Sequence, residues 1–259
     1  LLEKSKGALI FAYNTTVDYV AIADQCARLI THNLQLPVAL VTDTKCNLQH
    51  GPVIIESHTH QNRRVQNNEI VSWRNGNRCR AYTLSPFDCT LLVDADYLVR
   101  TAALKTIMST VRDYATFAKN IAVSSEHDNS VGALGIEQVW ATAVVFNKTP
   151  VAELLFETVA RIQENYEYYC KLYSIRESNF RNDYAFAIAD LIVNGYTPSA
   201  NRIPWSMVTV DSTIQSATPH VIKTEAAAYL WGAQDLHVMD KEYLQSEKFA
   251  ALVDTLCQE

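Results

Sequence analysis

Asp94 and Asp96 stand one residue apart in "CTLLVDADYLVR", residues 89–100, where an apolar run meets two carboxylates and apolar sequence resumes at once. On a strand, residues i and i+2 project to the same side, so at a strand's end both carboxylates can converge on one point, or meet there through the turn. Two carboxylates converging in low-dielectric surroundings repel, and the usual remedies are a shared proton or a divalent cation. All-oxygen donors suit a hard cation, Mn2+ or Mg2+. The carboxyl end of a parallel sheet is also where α/β folds bind ligands. The plain alternative is a polar turn with two caps, but apolar flanks on both sides set this pair apart from a generic polar loop. A cation held by one or two carboxylates is commonly completed by phosphate oxygens, which makes a nucleotide diphosphate the natural partner. The sequence has no GxxxxGK[ST] and no GxGxxG, so the P-loop and dinucleotide readings lose their main signals.

The elements that position the pair can be read from periodicity. "GALIFAYN" (7–14) is apolar enough for a buried strand. "DYVAIADQCARLITHNL" (18–34) carries apolar residues at 19, 20, 22, 23, 26, 27, 29 and 30, which is helical spacing, with Asp18 as N-cap. "PVALVTD" (37–43) is a second buried strand, so the chain opens with a βαβ unit and a parallel sheet. "PVIIES" (52–57) suits a third strand, and "RAYTLSPF" (80–87) holds a helix end before the Asp94 strand. Beyond it, 104–120 reads as a helix, 121–126 as a strand and 139–149 as a β-rich run. Residues 150–173 read as one long helix with proline in its first turn, and 183–195 as a helix closed by Gly195. Short strands are expected near 207–210 and 220–223. These elements predict a single α/β domain with a Rossmann-like, mostly parallel central sheet flanked by helices. Residues of about 7–118 read as a nucleotide-type first half, and about 119–259 as a more irregular second half.

Composition bounds the rest. The 259 residues are 48% hydrophobic and 19% charged, with seven glycines and seven prolines, the profile of a packed domain rather than a disordered or fibrous chain. A net charge of -6 disfavours binding nucleic acid through overall charge. Locally, residues 63–80 hold five arginines (63, 64, 74, 78 and 80) against one acid, Glu69, which is either a solvated face or a phosphate-binding edge. Six scattered cysteines without a CxxC pair point to free thiols in a reducing compartment and away from zinc. No apolar stretch approaches 18 residues, so no membrane insertion and a cytoplasmic location are expected.

The segment "NRCRAYTLSPFDCTLLVDADYLV" (77–99) resembles the D-x-D region of GT-A glycosyltransferases, nearest to the glycogenin-like, family 8 type sugar-nucleotide transferases. The shared features are a basic residue (Arg78), an aromatic-Thr-Leu step (Tyr82-Thr83-Leu84) and a strand ending in Asp94-Ala95-Asp96. "FAYNTTVDYVAIADQCARLI" (11–30) is similar to that family's first strand and helix. The resemblance covers most of residues 7–100 and thins out afterwards. It implies a UDP-sugar donor whose diphosphate is joined to Asp94 and Asp96 by Mn2+ or Mg2+. It also implies base and ribose contacts from Tyr13, Asn14 and Thr15, and a diphosphate contact from Arg78. In the second half it implies a catalytic-site carboxylate at Asp183, a metal-closing His237 with His220 as its rival, and a phosphate-binding Lys241. There are departures. Tyr184 follows Asp183 where the family usually has Gln, the Gly and Pro-Trp around Lys241 are missing, and Trp140-Ala141-Thr142 replaces an Asn-Ser-Gly type stretch. A saccharide acceptor and a retaining reaction are the expectations. The alternatives are a hydroxymethylated base in viral DNA as acceptor, a nucleotidyltransferase, or a non-catalytic nucleotide-binding protein.

Overall fold

The computed structural model describes residues 4–58, 61–64, 70–74, 76–122, 130–176, 179–197, 199–210 and 234–258. Strand β1 (Lys6–Phe11) is buried along almost its whole length. Gly7 is required there: a Cβ at this position would lie 2.4 Å from the Phe87 ring. Helix α1 (Tyr19–Leu34) starts at Asp18, whose carboxylate accepts from the Ala21 amide at 3.0 Å, satisfying one of the amides a helix start leaves open. Strands β2 (Val38–Thr42) and β3 (Val53–Ile55) follow, then the hairpin β4 (Gln61–Arg64) and β5 (Ile70–Trp73). A 3-10 turn over Gly76–Arg80 runs into the short helix α2 (Ala81–Leu84), and β6 (Cys89–Asp94) ends on the first aspartate.

Residues 104–120 are not one helix: α3 spans Ala103–Thr110, and the backbone turns extended at Val111. The Tyr-Ala-Thr-Phe run then forms strand β8 (Tyr114–Phe117). Its aromatic and β-branched side chains suit a pleated surface, and pairing with a long neighbouring strand outweighs helix propensity. Strand β7 (Tyr97–Leu98) precedes α3, and β9 (Asn120–Ala122), β10 (Ser130–Val131), β11 (Ile136–Glu137) and β12 (Trp140–Asn147) follow β8. Residues 150–173 are likewise two helices, α4 (Pro150–Glu164) and α5 (Tyr166–Leu172), broken at Asn165. Helix α6 (Asn182–Val193) passes into Gly195, whose φ of 65° is one glycine adopts without strain. The chain continues through β13 (Met207–Val210), β14 (Leu236–Val238), α7 (Lys241–Leu244) and α8 (Glu247–Leu256). The strand expected near 220–223, and His220 with it, lies outside the described residues.

The six-stranded central sheet has the order β3-β2-β1-β6-β12-β8. Strands β3, β2, β1 and β6 are parallel, while β12 is antiparallel to both β6 and β8. Alternation along β1 divides the core. Ala8 and Ile10 face a layer containing Ile22, Cys26 and Ile30 of α1, whereas Leu9 and Phe11 face a layer containing Leu155, Phe156 and Phe186 of α4 and α6. A second sheet, β7-β14-β13-β9, adjoins the carboxyl end of β6. The two sheets meet at Asp96, whose carbonyl accepts from the Val238 amide at 2.9 Å. Among the described residues no helix is long and apolar enough to cross a membrane, and Cys26, Cys46, Cys79, Cys89, Cys170 and Cys257 are all free thiols.

Candidate active site

Parallel register places Phe11 of β1 opposite Asp94 of β6, so the ends of the two strands open at the same level. A cavity of about 1050 Å3 lies there, lined in part by Tyr13, Thr15, Arg78, Asp94, Asp96, Asp183, His237 and Lys241. Asp94, Asp96 and His237 each offer a ligand atom within 4.8 Å of the others. Three strands bring them together: Asp94 closes β6, Asp96 lies in the turn to β7, and His237 sits on β14 paired with Tyr97.

The charges around the pair are unequal. Arg78, with its side chain 1% exposed, donates to Asp94 and to the Ala141 carbonyl. Burial pushes the Asp94 carboxyl up, to about 6, against the pull of Arg78 and with the push of Asp96. Burial alone would raise Asp96 too, but the Lys241 ammonium and His237 outweigh it and hold that carboxyl well below the usual range. Lys241 reaches Asp96 Oδ2 and donates to the Val238 carbonyl at 3.1 Å. Asp96 Oδ1 is left buried with no hydrogen-bond partner among the described residues, 3.5 Å from His237 Nε2. A buried carboxylate oxygen without a donor is costly unless something else takes its lone pairs.

The His237 ring is oriented from behind. Thr209 Oγ1 on β13 donates to Asn120 Oδ1 at 2.8 Å, which uses its proton, so at 3.3 Å from His237 Nδ1 the same oxygen accepts. That leaves Nε2, 3.5 Å from Asp96 Oδ1, as the nitrogen a cation between them would take. Two carboxylates and an imidazole nitrogen around an unpartnered oxygen fit a divalent cation of the Mn2+ or Mg2+ kind.

The other candidates distribute around this centre. Tyr13 is buried, its hydroxyl accepts from Asn77 Nδ2 at 3.3 Å, and its ring centroid lies 5.3 Å from that of His58. Thr15 lines the cavity, with its hydroxyl accepting from the Val17 amide at 3.2 Å. The Asn14 side chain faces α1, accepting from the Val20 amide at 2.9 Å, while its carbonyl takes Arg74 at 2.5 Å. Asp183, in the first turn of α6, accepts from the Ala141 amide at 2.9 Å. Ala141 thus links the two halves of the site, with its amide on Asp183 and its carbonyl on Arg78. Of the arginines at 63–80, Arg78 is committed to Asp94, Arg80 pairs with Glu56, and Arg74 reaches the end of β1. Thr209, Asn120, Arg176 and Arg181 are not candidates in the sequence, and Arg74 enters there only as one of the arginines at 63–80. Thr209 and Asn120 lie 89 positions apart and carry no motif.

A parallel βαβ start, an antiparallel β12 and a carboxylate pair at the end of the central strand define a GT-A-type α/β fold, the architecture of many glycosyltransferases. A solved structure agrees in fold. An active-site mutant of LgtC superposes with a TM-score of 0.50 at 11% identity, over 86% of this chain and 95% of that one. The glycosyltransferase GlyE of Streptococcus pneumoniae gives TM-scores of 0.46 and 0.47 at 13% and 14% identity, over 98% of this chain. The chain spans 61% of the length of those GlyE chains. No family model and no curated protein matches the sequence.

Proposed function

We propose that the chain is a metal-dependent glycosyltransferase that moves a sugar from a nucleotide-diphosphate sugar, a UDP-sugar, to a hydroxyl of a saccharide acceptor. The observation that carries this reading is the Asp94-Asp96-His237 cluster with its unpartnered Asp96 oxygen, lining a large cavity at the carboxyl end of the central sheet. A divalent cation held by these three residues would supply charge neutralisation to the departing diphosphate.

The chain's own groups account for the remaining roles. Arg78, fixed between Asp94 and Ala141, holds Asp94 in place and adds positive charge beside the diphosphate position. Lys241 occupies only one oxygen of Asp96, which leaves the other for the cation. Strand order sets β1 and β12 on opposite sides of β6. Tyr13 and Thr15 therefore fall on the side suited to the base and ribose, and Asp183 on the side suited to sugar and acceptor. A carboxylate at Asp183, held by the Ala141 amide, favours positive charge developing at the anomeric carbon and can orient an acceptor hydroxyl. The resemblance to glycogenin-like enzymes favours retention of configuration. A cytoplasmic site of action fits the free thiols.

Calorimetric titration of the chain with UDP in the presence and absence of Mn2+ tests the reading, followed by a panel of nucleotide sugars. Mn2+-dependent UDP binding that disappears in Asp94→Ala and Asp96→Ala is the expected result. UDP binding indifferent to the ion and to both substitutions would defeat it.

A further inference from the structure

The charge of the cavity narrows the acceptor, given the transfer reading above. Five cationic side chains line it (Arg74, Arg78, Arg176, Arg181 and Lys241) against three carboxylates (Asp94, Asp96 and Asp183). Arg78 and Lys241 are spent on Asp94 and Asp96. A divalent cation and a sugar-nucleotide diphosphate largely offset one another, so binding the donor leaves the surplus in place. Arg74 belongs to the β1 side, tied to the Asn14 carbonyl at 2.5 Å. Arg176 and Arg181 remain, and among the described residues lining the cavity the acid on their side is Asp183.

Both lie on the β12 side of Asp94. Arg181 stands 3.6 Å from Asp183, whose other oxygen is on Ala141 of β12. Arg176 follows Ser174, whose carbonyl accepts from the Ala133 amide at 3.2 Å in the turn between β10 and β11, and β11 leads into β12. Arg181 is held by its neighbours, with its guanidinium donating to the Tyr184 hydroxyl at 3.4 Å. Its guanidinium lies 4.7 Å from the Tyr184 ring centroid, and its separation from Asp183 is longer than a charge-assisted hydrogen bond. Arg176 is exposed and makes no hydrogen bond or ion pair among the described residues. The exposed Arg176 fork, lining the same cavity as Asp183 and Arg181, matches carboxylate or phosphate geometry, whereas a neutral sugar would leave it facing water.

We infer that the acceptor is an anionic saccharide, whose carboxylate or phosphate is received by Arg176 and Arg181 while its hydroxyl lies by Asp183. The test is saturation-transfer NMR and titration of the full chain with glucose, glucuronate and glucose 6-phosphate, each with and without Mn2+ and UDP. At least one charged sugar should bind about tenfold more tightly than glucose, and the tighter of the two identifies the anion. Arg176→Ala should remove most of that preference, and Arg181→Lys, which keeps the charge but loses the fork, part of it. UDP and Mn2+ binding should be unchanged in Arg176→Ala, which also shows that the variant is folded. Glucose binding as well as its charged counterparts, or a preference untouched by Arg176→Ala, overturns the inference. Tighter, Arg176-dependent binding of duplex DNA containing 5-hydroxymethylcytosine overturns the saccharide assignment. Failure of UDP and Mn2+ to bind defeats the transfer reading separately, because the sugar pairs still decide the anion subsite without them.

Discussion

Two of the places where the molecule buries carboxylates treat them in opposite ways. Behind the central sheet, Asp190 of α6 accepts from Tyr114 Oη at 2.8 Å and Asn194 Nδ2 at 3.1 Å on one oxygen, and from Arg202 at 2.7 Å on the other. Arg202 in turn donates to Glu137 at 2.7 and 2.9 Å and to Thr116 Oγ1 at 3.1 Å. Neither Asp190 nor Arg202 lines the cavity, and both Asp190 oxygens are used. At the end of β6, by contrast, a like-charged pair faces a cavity, one carboxyl is raised, and one buried oxygen has no partner. A closed network joins α6 to β8 and to the Arg202 segment. An open one costs stability and has a use only when something binds.

The largest effect should separate the two regions outright. Asp96→Ala should lower Mn2+-dependent sugar transfer by about 10^2–10^3-fold or more, whereas Asp190→Ala should leave Mn2+ affinity, read by calorimetry, within error of the wild type. Equal losses of Mn2+ binding in both would erase the distinction. The converse should hold for stability. Removing one partner of a buried, hydrogen-bonded ion pair costs about 3–5 kcal/mol. In a chain of this size that lowers the melting temperature of Asp190→Ala by roughly 10 °C, a drop scanning calorimetry would detect.

These two regions were not equally legible in the sequence. Asp94 and Asp96 are local: two acids interrupting an apolar run need only the period of a strand to be placed at its end. The βαβ start is legible for the same reason, since the strand and helix patterns up to Thr42 are unbroken. Residues 104–120 misled because "TFAKN" continues a helical pattern, and only the partner strand β12 makes Tyr114–Phe117 extended. Asp190 sits inside a helical pattern like any solvent-facing acid, and its burial depends on Arg202 and Tyr114, which are distant in sequence. The ring behind His237 is less legible still, because Thr209 and Asn120 are ordinary strand residues until β13 and β9 pair.

That ring gives the next effect in size. Thr209→Val keeps the shape of the side chain but removes the oxygen that accepts from His237 Nδ1. The imidazole then loses the contact that selects its tautomer, and Mn2+ affinity should fall by about 10–100-fold, with a melting temperature a few degrees lower because buried Asn120 Oδ1 loses its donor as well. Unchanged affinity in calorimetry would mean that His237 is oriented by packing alone.

The smallest effect sharpens the comparison along a single strand. Asp88 stands just before β6 and Asp94 closes it, so the same strand carries an acid at each end. Asp88 accepts from the Ser5 hydroxyl at 2.8 Å and from the Ser5 amide at 3.0 Å, and these bonds hold its carboxyl below the usual range, the reverse of Asp94. A depressed folded pKa means that the unfolded chain takes up the proton more readily, so Asp88 stabilises the fold above its ordinary value of 3.8 and ceases to as pH falls through the lower folded value. Asp88→Asn should therefore melt slightly below the wild type at neutral pH, and the gap should close on acidification. Because Asp88 is exposed, the gap should be small. A gap that persists unchanged in acid would mean that the Ser5 contact acts through shape rather than charge. It would also remove the contrast between an acid stabilised by its donors and one left for a ligand.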